Sequence, residues 1–514
     1  MRNLFCIIGI SFLLLSGCTT NKTLNLEEEA LKSLAVIAEN NRFYTEHSFQ
    51  EMPDHLYDYS KSKDDELSEE KLSSLTNSHM RTPYLTREKI IEDVEVLHVT
   101  LKHMYALYEY MGGDEAFEKA KEGVINSVYI RDEESELSSK QFIDLLKEHY
   151  GFVIDNHFHL DYTPINESEH ILYFSERVQF HENAHGEYIL AGNDRIQLFE
   201  INGDDDIKYY LKYSLDDDGN IVSIPAIFSN PLSIEEREWE ITLKQEDSLH
   251  TEMITLEPMP KEIPRHQFGN AFAITEKDGV PWLQLRSMFV YEGADYDYYD
   301  MINTATLLKE EPYFVLDLRG NEGGSMILVD RWVDELFGQR VNWSSQSIHL
   351  FSNTSKAFIK DTIDFYQSRT GISTQTFEDD FTDLFRINSI ENFEIPQWEI
   401  DSNSQKKIYD NQTHIFILVD NNTASAAEHL VAKLKLANNT TVLGVNTRGA
   451  IISGNSLMWR LPNTQVDMFT PTFFNYNPDL LHKELVGIQP DLWITATRVE
   501  SRLLSFIKQN TESH

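Results

Sequence analysis

Two segments of the sequence share one local pattern, in which an apolar strand ends in a tight loop and a helix follows at once. In the first segment a strand is predicted over Tyr313 to Leu318 and a helix over Met326 to Phe337. In the second a strand is predicted over His414 to Val419 and a helix over Ala426 to Leu436. Strands that alternate with helices in this way are typical of α/β proteins. Residues 266–510 are therefore predicted to form an α/β domain.

The rest of the chain requires further domains. A chain of 514 residues exceeds what one hydrophobic core usually serves, so two or three domains are expected. From Leu85 onward, apolar residues recur at three- and four-residue spacing and predict a long amphipathic helix. A second helix is predicted over Lys140 to Tyr150, where Ser138 and Gln141 have the spacing of a capping box. These helices predict a helical domain at residues 86–165.

Residues 171–262 are predicted to form a β-rich module. Short β-type runs alternate there with turn signals such as Asn202-Gly203 and Asp218-Gly219. The run from Gly192 to Lys212 resembles the PDZ-domain pattern, in which a strand leads into Ile-Asn-Gly and then a helix. A PDZ-like module captures a peptide as an added strand, whereas a plain β insert would explain the same tight turn. Both interpretations stay open.

The first residues have the parts of a secretory signal peptide. A positive charge precedes the apolar stretch Leu4 to Leu15, and Ser16-Gly17-Cys18 forms a small-residue cleavage site. This ending resembles the lipobox of bacterial lipoproteins, which implies removal of residues 1–17 and acylation of Cys18. A free or disulfide-bonded cysteine is the alternative, but Cys6, the other cysteine, lies in the removed stretch. We therefore expect a lipid-anchored protein of the bacterial cell envelope that faces the periplasm or the exterior.

Residues 18–85 are predicted to be a tether and N-terminal segment. A helix is predicted over Leu26 to Glu39, whereas Ser60 to Ser78 is crowded with charged and serine residues and is predicted to be loop. Over the whole chain, 84 acidic side chains against 44 Lys and Arg give a formal charge of -40. That charge argues against nucleic acid or an anionic membrane surface as the main partner, and solubility alone explains it.

Ser425, at the start of the second predicted helix, allows two interpretations. Serine is a common N-cap residue, so a structural role explains it without any chemistry. A catalytic role requires a base and donors for an oxyanion, and the amides and dipole at a helix start favour a developing negative charge. In the first segment, the glycines Gly320, Gly323 and Gly324 let the backbone approach another group and expose its amides. These two loops are the candidate site.

Three motifs of the chain carry a resemblance to a known family: DLRGNEGG, TASAAEHLVAKL followed by VLGVNTRG, and KELVGIQPDLWI. Their order resembles that of the C-terminal-processing and tricorn-type serine peptidases, over most of Gly279 to Ile494. The resemblance implies a ββα peptidase domain of the crotonase or Clp-protease type, usually with a PDZ or PDZ-like module. It further implies that Ser425 is the nucleophile and that the amides of Ala426 and Gly323, or alternatively Gly324, bind the oxyanion.

The way in which the serine is activated divides this family. The processing-protease branch uses a lysine where this chain has Ala450, and the neighbouring Arg448 stays protonated and makes no base. The tricorn-type branch uses a histidine, which His157 in the segment DNHFHL matches. His159 is the minor alternative. Two ordinary strand histidines or a metal pair would also fit, but no third ligand of recognisable spacing is present, so no metal site is predicted.

In the tricorn-type pattern, a glutamate near the C-terminal end of the sequence supports the active site. Glu484 stands three residues before Gly487, as that glutamate does, although an ordinary surface role would also explain it in so acidic a chain. The tetrad of that branch includes a second serine, for which Ser139 and Ser168 are candidates without motif support.

The sequence thus predicts a multi-domain protein of the α/β class (α+β as a whole), in which an N-terminal helical domain and a β-rich, PDZ-like insert precede the peptidase domain. The function implied is that of a serine endopeptidase or carboxy-terminal-processing peptidase that cleaves peptides or proteins through an acyl-enzyme on Ser425, with no cofactor. A catalytically inactive lipoprotein of the same fold, which binds peptides or envelope proteins, is the alternative suggested by the missing lysine. A solute-binding lipoprotein, in which the Ser425 motif is accidental, is a weaker third hypothesis.

Overall fold

The computed structural model describes residues 25–39, 49–62, 66–76, 84–130, 136–264, 269–289, 298–341, 344–370, 386–387, 389–390, 392–403 and 409–512 of the 514-residue chain. The predicted signal peptide and Cys18 lie outside the described residues. Within these ranges, no helix is both long enough and apolar enough to cross a bilayer.

Helices and strands alternate along the described ranges. The α-helices are α1 Glu28–Glu39, α2 Glu69–Thr76, α3 Arg87–Met104, α4 Gly113–Tyr129, α5 Ser139–Tyr150, α6 Tyr298–Leu308, α7 Met326–Phe337, α8 Asn353–Thr370, α9 Ala426–Leu434, α10 Pro478–Leu481 and α11 Val499–Gln509. The strands are β1 Asn25–Leu26, β2 Tyr84–Leu85, β3 Leu137–Ser138, β4 His159–Leu160, β5 Thr163–Pro164, β6 Ile171–Phe174, β7 Phe180–Glu182, β8 Tyr188–Leu190, β9 Ile196–Ile201, β10 Leu211–Leu215, β11 Ile221–Ser229, β12 Glu238–Gln245, β13 Ser248–Thr255, β14 Glu257–Pro258, β15 Phe272–Lys277, β16 Val280–Leu285, β17 Tyr313–Asp317, β18 Ser345–Phe351, β19 Gln397–Asn403, β20 His414–Val419, β21 Thr440–Gly444, β22 Ser453–Arg460, β23 Asp467–Tyr476, β24 Leu492–Trp493 and β25 Thr511–Glu512.

The first six-stranded sheet is mostly parallel. Its order is β15-β16-β17-β20-β21-β24, and only the edge strand β15 runs antiparallel to its neighbour. Strands β17 and β20 are buried along their whole length, as expected for parallel strands covered on both faces. Their register pairs Asp317 with Leu418, so the loops that follow the two strands lie at the same sheet edge. The strand and helix predictions for both segments are confirmed, and the fold is mixed α/β.

The second six-stranded sheet brings two further chain segments together. Its order is β19-β18-β23-β4-β5, with β22 paired to β23, and the pairings are antiparallel. Strand β4 directly follows the segment Asp155 to Phe158, and β22 begins at Ser453. Because β23 is the common neighbour of β4 and β22, segments far apart in sequence meet beside it.

Helices α3, α4 and α5 share one hydrophobic core with the second sheet. The prediction of α5 is confirmed, including the capping box of Ser138 and Gln141. The helix predicted from Leu85 onward ends at Met104, earlier than the apolar pattern suggested. Tyr105 is extended there, with φ -78° and ψ 109°, and the turn that follows leads into α4, which the sequence analysis missed.

The prediction of loop over Ser60 to Ser78 is wrong for Glu69 to Thr76. These residues form α2, which buries Leu72 and Leu75 in the same core as α8. The serine and charged residues of α2 lie on its outer side, which is why composition concealed two apolar positions three residues apart.

The β-rich region is one nine-stranded antiparallel sheet. Its order is β13-β12-β9-β8-β7-β11-β6-β14, with β10 paired to β11. The turn at Asn202-Gly203 has positive φ values of 52° and 76°, and it leads into the single 3-10 turn Ile207–Tyr210 before β10. Whether this sheet is a PDZ-like module, and the domain boundaries as a whole, stay predictions.

Candidate active site

Ser425 occupies the loop between β20 and α9 in an unusual backbone conformation. Its φ is 54° and its ψ is -123°, a region that residues with a side chain rarely adopt. Two hydrogen bonds join this loop to the loop after β17: the amide of Ala424 donates to Asn321 O at 2.9 Å, and Thr423 Oγ1 donates to Leu318 O at 3.0 Å. The loop after β17 therefore supports the turn that presents the Ser425 hydroxyl.

His157 meets this hydroxyl across the interface between the two sheets. Its Nε2 lies 3.0 Å from Ser425 Oγ, although the two residues are 268 positions apart in the chain. His157 is in the segment before β4, where its amide donates to Asp155 Oδ1 at 3.0 Å. The arrangement allows a proton to pass from the serine hydroxyl to the imidazole.

The second ring nitrogen of His157, Nδ1, contacts Ser453, and Asp155 holds Ser453 in turn. Ser453 Oγ donates to Asp155 Oδ1 at 2.6 Å and lies 3.2 Å from His157 Nδ1. Because the Ser453 proton is directed to the carboxylate, its oxygen accepts from His157 Nδ1–H, which leaves Nε2 free to accept from Ser425. The Tyr105 hydroxyl donates to Asp155 Oδ2 at 2.8 Å. The result is a continuous hydrogen-bonded chain from Ser425 to Asp155.

Ser453 is therefore the second serine beside His157. The two serines suggested from the sequence, Ser139 and Ser168, lie elsewhere. Ser139 is the first residue of α5, and Ser168 lies between β5 and β6. Sequence reasoning missed Ser453 because 296 residues separate it from His157. The signal for Asp155 was present, since it stands two residues before His157 in the quoted segment.

Burial sets the protonation of this chain of residues. Removal from water, followed by the charge of Arg448, lowers the pKa of His157 to about 4, so its imidazole is neutral at pH 7. Burial raises the pKa of Asp155, and the donors Ser453, Tyr105 and the His157 amide act in the opposite direction. A neutral imidazole is the form that can accept a proton.

Glu484 supports the site through the backbone and makes no described contact with the imidazole. Its buried carboxylate accepts from the amide of Asn156 at 2.7 Å, of Ile451 at 2.8 Å and of Ile452 at 3.0 Å. It thus ties the segment that carries His157 to the one that carries Ser453. Burial and the nearby Asp155 raise the pKa of Glu484 well above its usual range. Glu484 thus lies beside the segment that carries His157, as expected, but it contacts backbone amides rather than the imidazole.

The glycine loop after β17 lies directly against the serine. A Cβ on Gly323, whose φ is 97°, would come within 2.8 Å of Ser425 Cβ and 2.9 Å of the Ala426 amide. The Gly323 amide donates to Asn321 Oδ1 at 2.9 Å. Among the residues that the structure describes, the amides of Gly324 and Ala426 have no hydrogen-bond acceptor. These two amides therefore meet one requirement of an oxyanion donor, which is the lack of a competing acceptor.

Buried charges hold the two loops in shape. Burial opposes ionisation of Asp317, but Arg319 and Arg286 outweigh it and hold its pKa below the usual range. Glu428, on the first turn of α9, accepts from the Ser425 amide at 3.0 Å and from the Ala450 amide at 2.8 Å. Ala450, which stands where one branch of the family has lysine, is buried and offers no base.

His159 is not directed at the serine. Its Nε2 lies 2.8 Å from Asn156 O, and its ring packs edge-on against Phe469. Within the described ranges, no group of three or more His, Cys, Asp or Glu residues could hold a metal ion.

Comparison with known proteins finds a family match over part of the chain. Residues 282–494, less than half of the chain, match the model of peptidase family S41. No curated protein matches. The match supports this family, and the chain is accordingly a serine-type peptidase; it does not separate the Ser/His/Glu branch from the Ser/Lys branch.

The solved structures that match are distant in sequence and in structure. Mature CPAF is 12% identical with a TM-score of 0.39, covering 82% of this chain and 95% of its own. The photosystem II D1 C-terminal processing protease is 12% identical with a TM-score of 0.34, covering 82% and 97%. A lipoprotein from Streptococcus agalactiae is 12% identical with a TM-score of 0.31, covering 84% and 99%.

Proposed function

We propose that this chain is a lipid-anchored serine endopeptidase or carboxy-terminal-processing peptidase of the Ser/His type, with Ser425 as its nucleophile. The observation that carries the proposal is the 3.0 Å distance between His157 Nε2 and Ser425 Oγ. A histidine at this distance from a serine hydroxyl, supported on its other nitrogen, is the arrangement that activates a serine for acyl transfer.

The proposed reaction has two steps on this site. Ser425 Oγ attacks the carbonyl carbon of the peptide bond while His157 Nε2 takes the hydroxyl proton, and the amides of Ala426 and Gly324 stabilise the oxyanion. The imidazolium then donates its proton to the leaving amine, and an acyl-enzyme forms. Water, deprotonated by the same imidazole, hydrolyses the ester and releases Ser425. Gly323 contributes by its lack of a side chain, since its amide is engaged by Asn321.

Ser453 and Asp155 are proposed to orient and stabilise the base. The hydrogen bond from His157 Nδ1–H to Ser453 Oγ selects the tautomer that leaves Nε2 free, and Asp155 fixes the Ser453 hydroxyl. The buried alanine at position 450 supports a Ser/His mechanism over a Ser/Lys mechanism. Glu484 is proposed as a positioning residue, because it acts through the amides of Asn156, Ile451 and Ile452.

Fluorophosphonate labelling tests the nucleophile without knowledge of the substrate. The wild-type protein should label at Ser425 by mass spectrometry, and Ser425→Ala and His157→Gln should abolish labelling while the melting temperature is retained. A folded wild-type protein that does not label, yet binds peptides, would support the inactive peptide-binding lipoprotein instead.

The membrane anchor is a separate proposal. It rests on the lipobox-like sequence that ends at Cys18 and on expected cleavage after residue 17. Metabolic labelling with an alkyne fatty acid in a bacterial host should modify the wild-type protein and place it in the membrane fraction. Cys18→Ala should lose both properties, and equal labelling of the two proteins would reject the anchor.

A further inference from the structure

Arg448 lies at the mouth of the site and has no part in the steps described above. Its backbone amide donates to Thr423 O at 2.9 Å, two residues before Ser425. Its Nη2 lies 2.9 Å from Glu322 Oε1 and 3.1 Å from Asn422 Oδ1. Because Glu322 directly precedes Gly323, the guanidinium stands between the glycine loop and the serine loop.

The guanidinium is accessible to a bound peptide. Its side chain is 29% exposed, and the described contacts use Nη2 alone. Nε and Nη1 have no hydrogen-bond acceptor within the described ranges, so part of the planar fork of donors is available. Glu322 is 65% exposed, and an ion pair with so exposed a partner is weak because water screens it. An incoming carboxylate can therefore replace Glu322 at small cost.

The charge of Arg448 acts at the reaction centre. Burial is the larger cause of the lowered pKa of His157, and the positive charge of Arg448 is the second. The charge of Arg448 therefore acts on the proposed base. The buried carboxylates of Asp155 and Glu428 already accept hydrogen bonds from other groups, and Arg448 is not among their described donors. In a chain with a formal charge of -40, Arg448 is thus a local cation beside the nucleophile.

We propose that Arg448 binds a carboxylate of the substrate close to the scissile bond and makes the peptidase selective for peptides that carry one there. Two sources share this chemistry: the α-carboxylate at a peptide C-terminus, and an Asp or Glu side chain. Both are planar and match the guanidinium fork in bidentate fashion, which a neutral amide does not. The inference rests on the proposed function, since it assumes that peptides occupy the Ser425 site.

A purely structural role for Arg448 makes a different prediction. If the residue only braces the glycine loop, loss of either partner of the Arg448–Glu322 pair should have the same effect. If Arg448 binds substrate, Glu322 is its competitor, and the two losses should have opposite effects on carboxylate binding. The variants Arg448→Gln and Glu322→Gln therefore distinguish the two roles.

The experiment measures peptide binding rather than turnover. Fluorescein-labelled octapeptide pools are titrated against full-length Ser425→Ala protein and followed by anisotropy. One pair of pools has free or amidated C-termini, and the other pair contains Asp and Glu or Asn and Gln. We expect at least one carboxylate pool to bind 10-fold or more tightly than its neutral match. Arg448→Gln should abolish this ratio, Arg448→Lys should retain part of it, and Glu322→Gln should increase it.

Several outcomes would overturn the inference. Equal binding of acidic and neutral pools, no detectable binding of either, a preference that persists in Arg448→Gln, or the same loss in Glu322→Gln would each do so. Melting temperatures verify that every variant is folded. Fluorophosphonate labelling of the corresponding proteins with Ser425 intact reports on the proposed function separately: failure to label rejects the nucleophile, whereas labelling without carboxylate selectivity rejects only the role of Arg448.

Discussion

At the scale of single residues, the backbone of Ser425 separates a catalytic role from an ordinary cap. An N-cap residue usually has β-region dihedrals, whereas Ser425 has φ 54° and ψ -123°. Such a conformation carries strain of about 1–3 kcal/mol, which persists only where surrounding contacts impose it. Here the strain directs a hydroxyl towards His157 Nε2, which is a reason to favour chemistry over capping.

Removal of the Ser453 hydroxyl should impair the base without unfolding the protein. Ser453→Ala leaves His157 Nδ1–H without its acceptor and removes one of the donors to Asp155, so the imidazole loses orientation. We expect the rate of fluorophosphonate labelling at Ser425 to fall by about 10- to 1000-fold, within the range seen for groups that assist acid–base catalysis. The matched controls Ser139→Ala and Ser168→Ala should change the rate less than about twofold. Equal rates in Ser453→Ala and in the controls would contradict the proposed role.

The depressed pKa of His157 predicts activity in mildly acidic solution. The neutral imidazole is the reactive form, so the labelling rate should rise with pH and reach half its maximum near the pKa of about 4, below the ordinary value of 6.5. Between these two values the unfolded chain binds a proton that the folded protein excludes. The free energy of unfolding should therefore fall as the pH drops, by at most about 1.4 kcal/mol per unit for this group. A half-maximum at pH 6.5 or above would reject the prediction.

At the scale of elements, the site is an assembly of four loops from two sheets. The loops after β17 and β20 leave neighbouring parallel strands, and the segments before β4 and β22 join strands that flank β23. Glu428 connects the serine loop to the segment that contains Ala450, and Glu484 connects that segment to Asn156. The geometry of Ser425, His157 and Ser453 therefore depends on two buried carboxylates.

The close approach of the glycine loop to the serine loop can be tested with alanine. Gly323→Ala would place a Cβ 2.8 Å from Ser425 Cβ and should reduce labelling at Ser425 by about 100-fold or more, because small displacements of catalytic groups have effects of this size. Gly279→Ala is the matched control, since Gly279 also has positive φ but its Cβ would meet no atom within 4 Å. Similar labelling of the two variants would mean that the glycine loop can move away from the serine loop without loss of activity.

The bridge formed by Glu484 predicts a combined loss of activity and stability. In Glu484→Gln, an amide NH₂ replaces one oxygen that accepts backbone amides, so at least one buried donor loses its acceptor. The expected destabilisation is about 1–3 kcal/mol, accompanied by slower labelling at Ser425. Glu335→Gln, at a partly exposed ion pair with Lys309, should leave the melting temperature nearly unchanged, because water screens that pair. Unchanged melting and labelling in Glu484→Gln would show that the bridge is dispensable.

At the scale of the whole molecule, the two ends of the described chain close over the peptidase sheet. Strand β1 pairs with β25, and α1 and α11 pack on the same face of the first sheet. Leu34 of α1 shares a core with Trp282 and Phe506. The segment predicted to tether the protein therefore also contributes a helix to the core on this face of the first sheet.

Packing of α1 predicts that this helix stabilises the peptidase domain. Leu34 is fully buried, and Leu34→Ala should reduce the free energy of unfolding by about 2–5 kcal/mol. Val36→Ala on the same helix is the control, because Val36 is 67% exposed and its truncation should change stability by less than about 0.5 kcal/mol. Thermal unfolding of the full chain measures both. Equal stability of the two variants would imply that α1 is not docked in solution.

The sequence by itself determined the elements and motifs whose information is local. Buried parallel strands such as β17 and β20 appear as continuous apolar runs, α5 carries its own capping box, and the serine motif follows a strand directly. The family resemblance indicated His157 as the base, and its Nε2 lies 3.0 Å from Ser425 Oγ. The same resemblance indicated Glu484, which accepts the amide of Asn156 beside His157. The catalytic roles of both residues stay predictions.

The tertiary structure alone decided what depends on contacts between distant segments. Ser453 meets His157 from 296 residues away, and no periodicity or spacing encodes that contact. The indirect role of Glu484 follows from three backbone amides that it satisfies, which only a folded chain brings together. The helix α2 was concealed because its polar face dominates its composition, and burial of Leu72 and Leu75 against another segment determines its place. Local pattern specifies elements, whereas packing between sheets specifies the site.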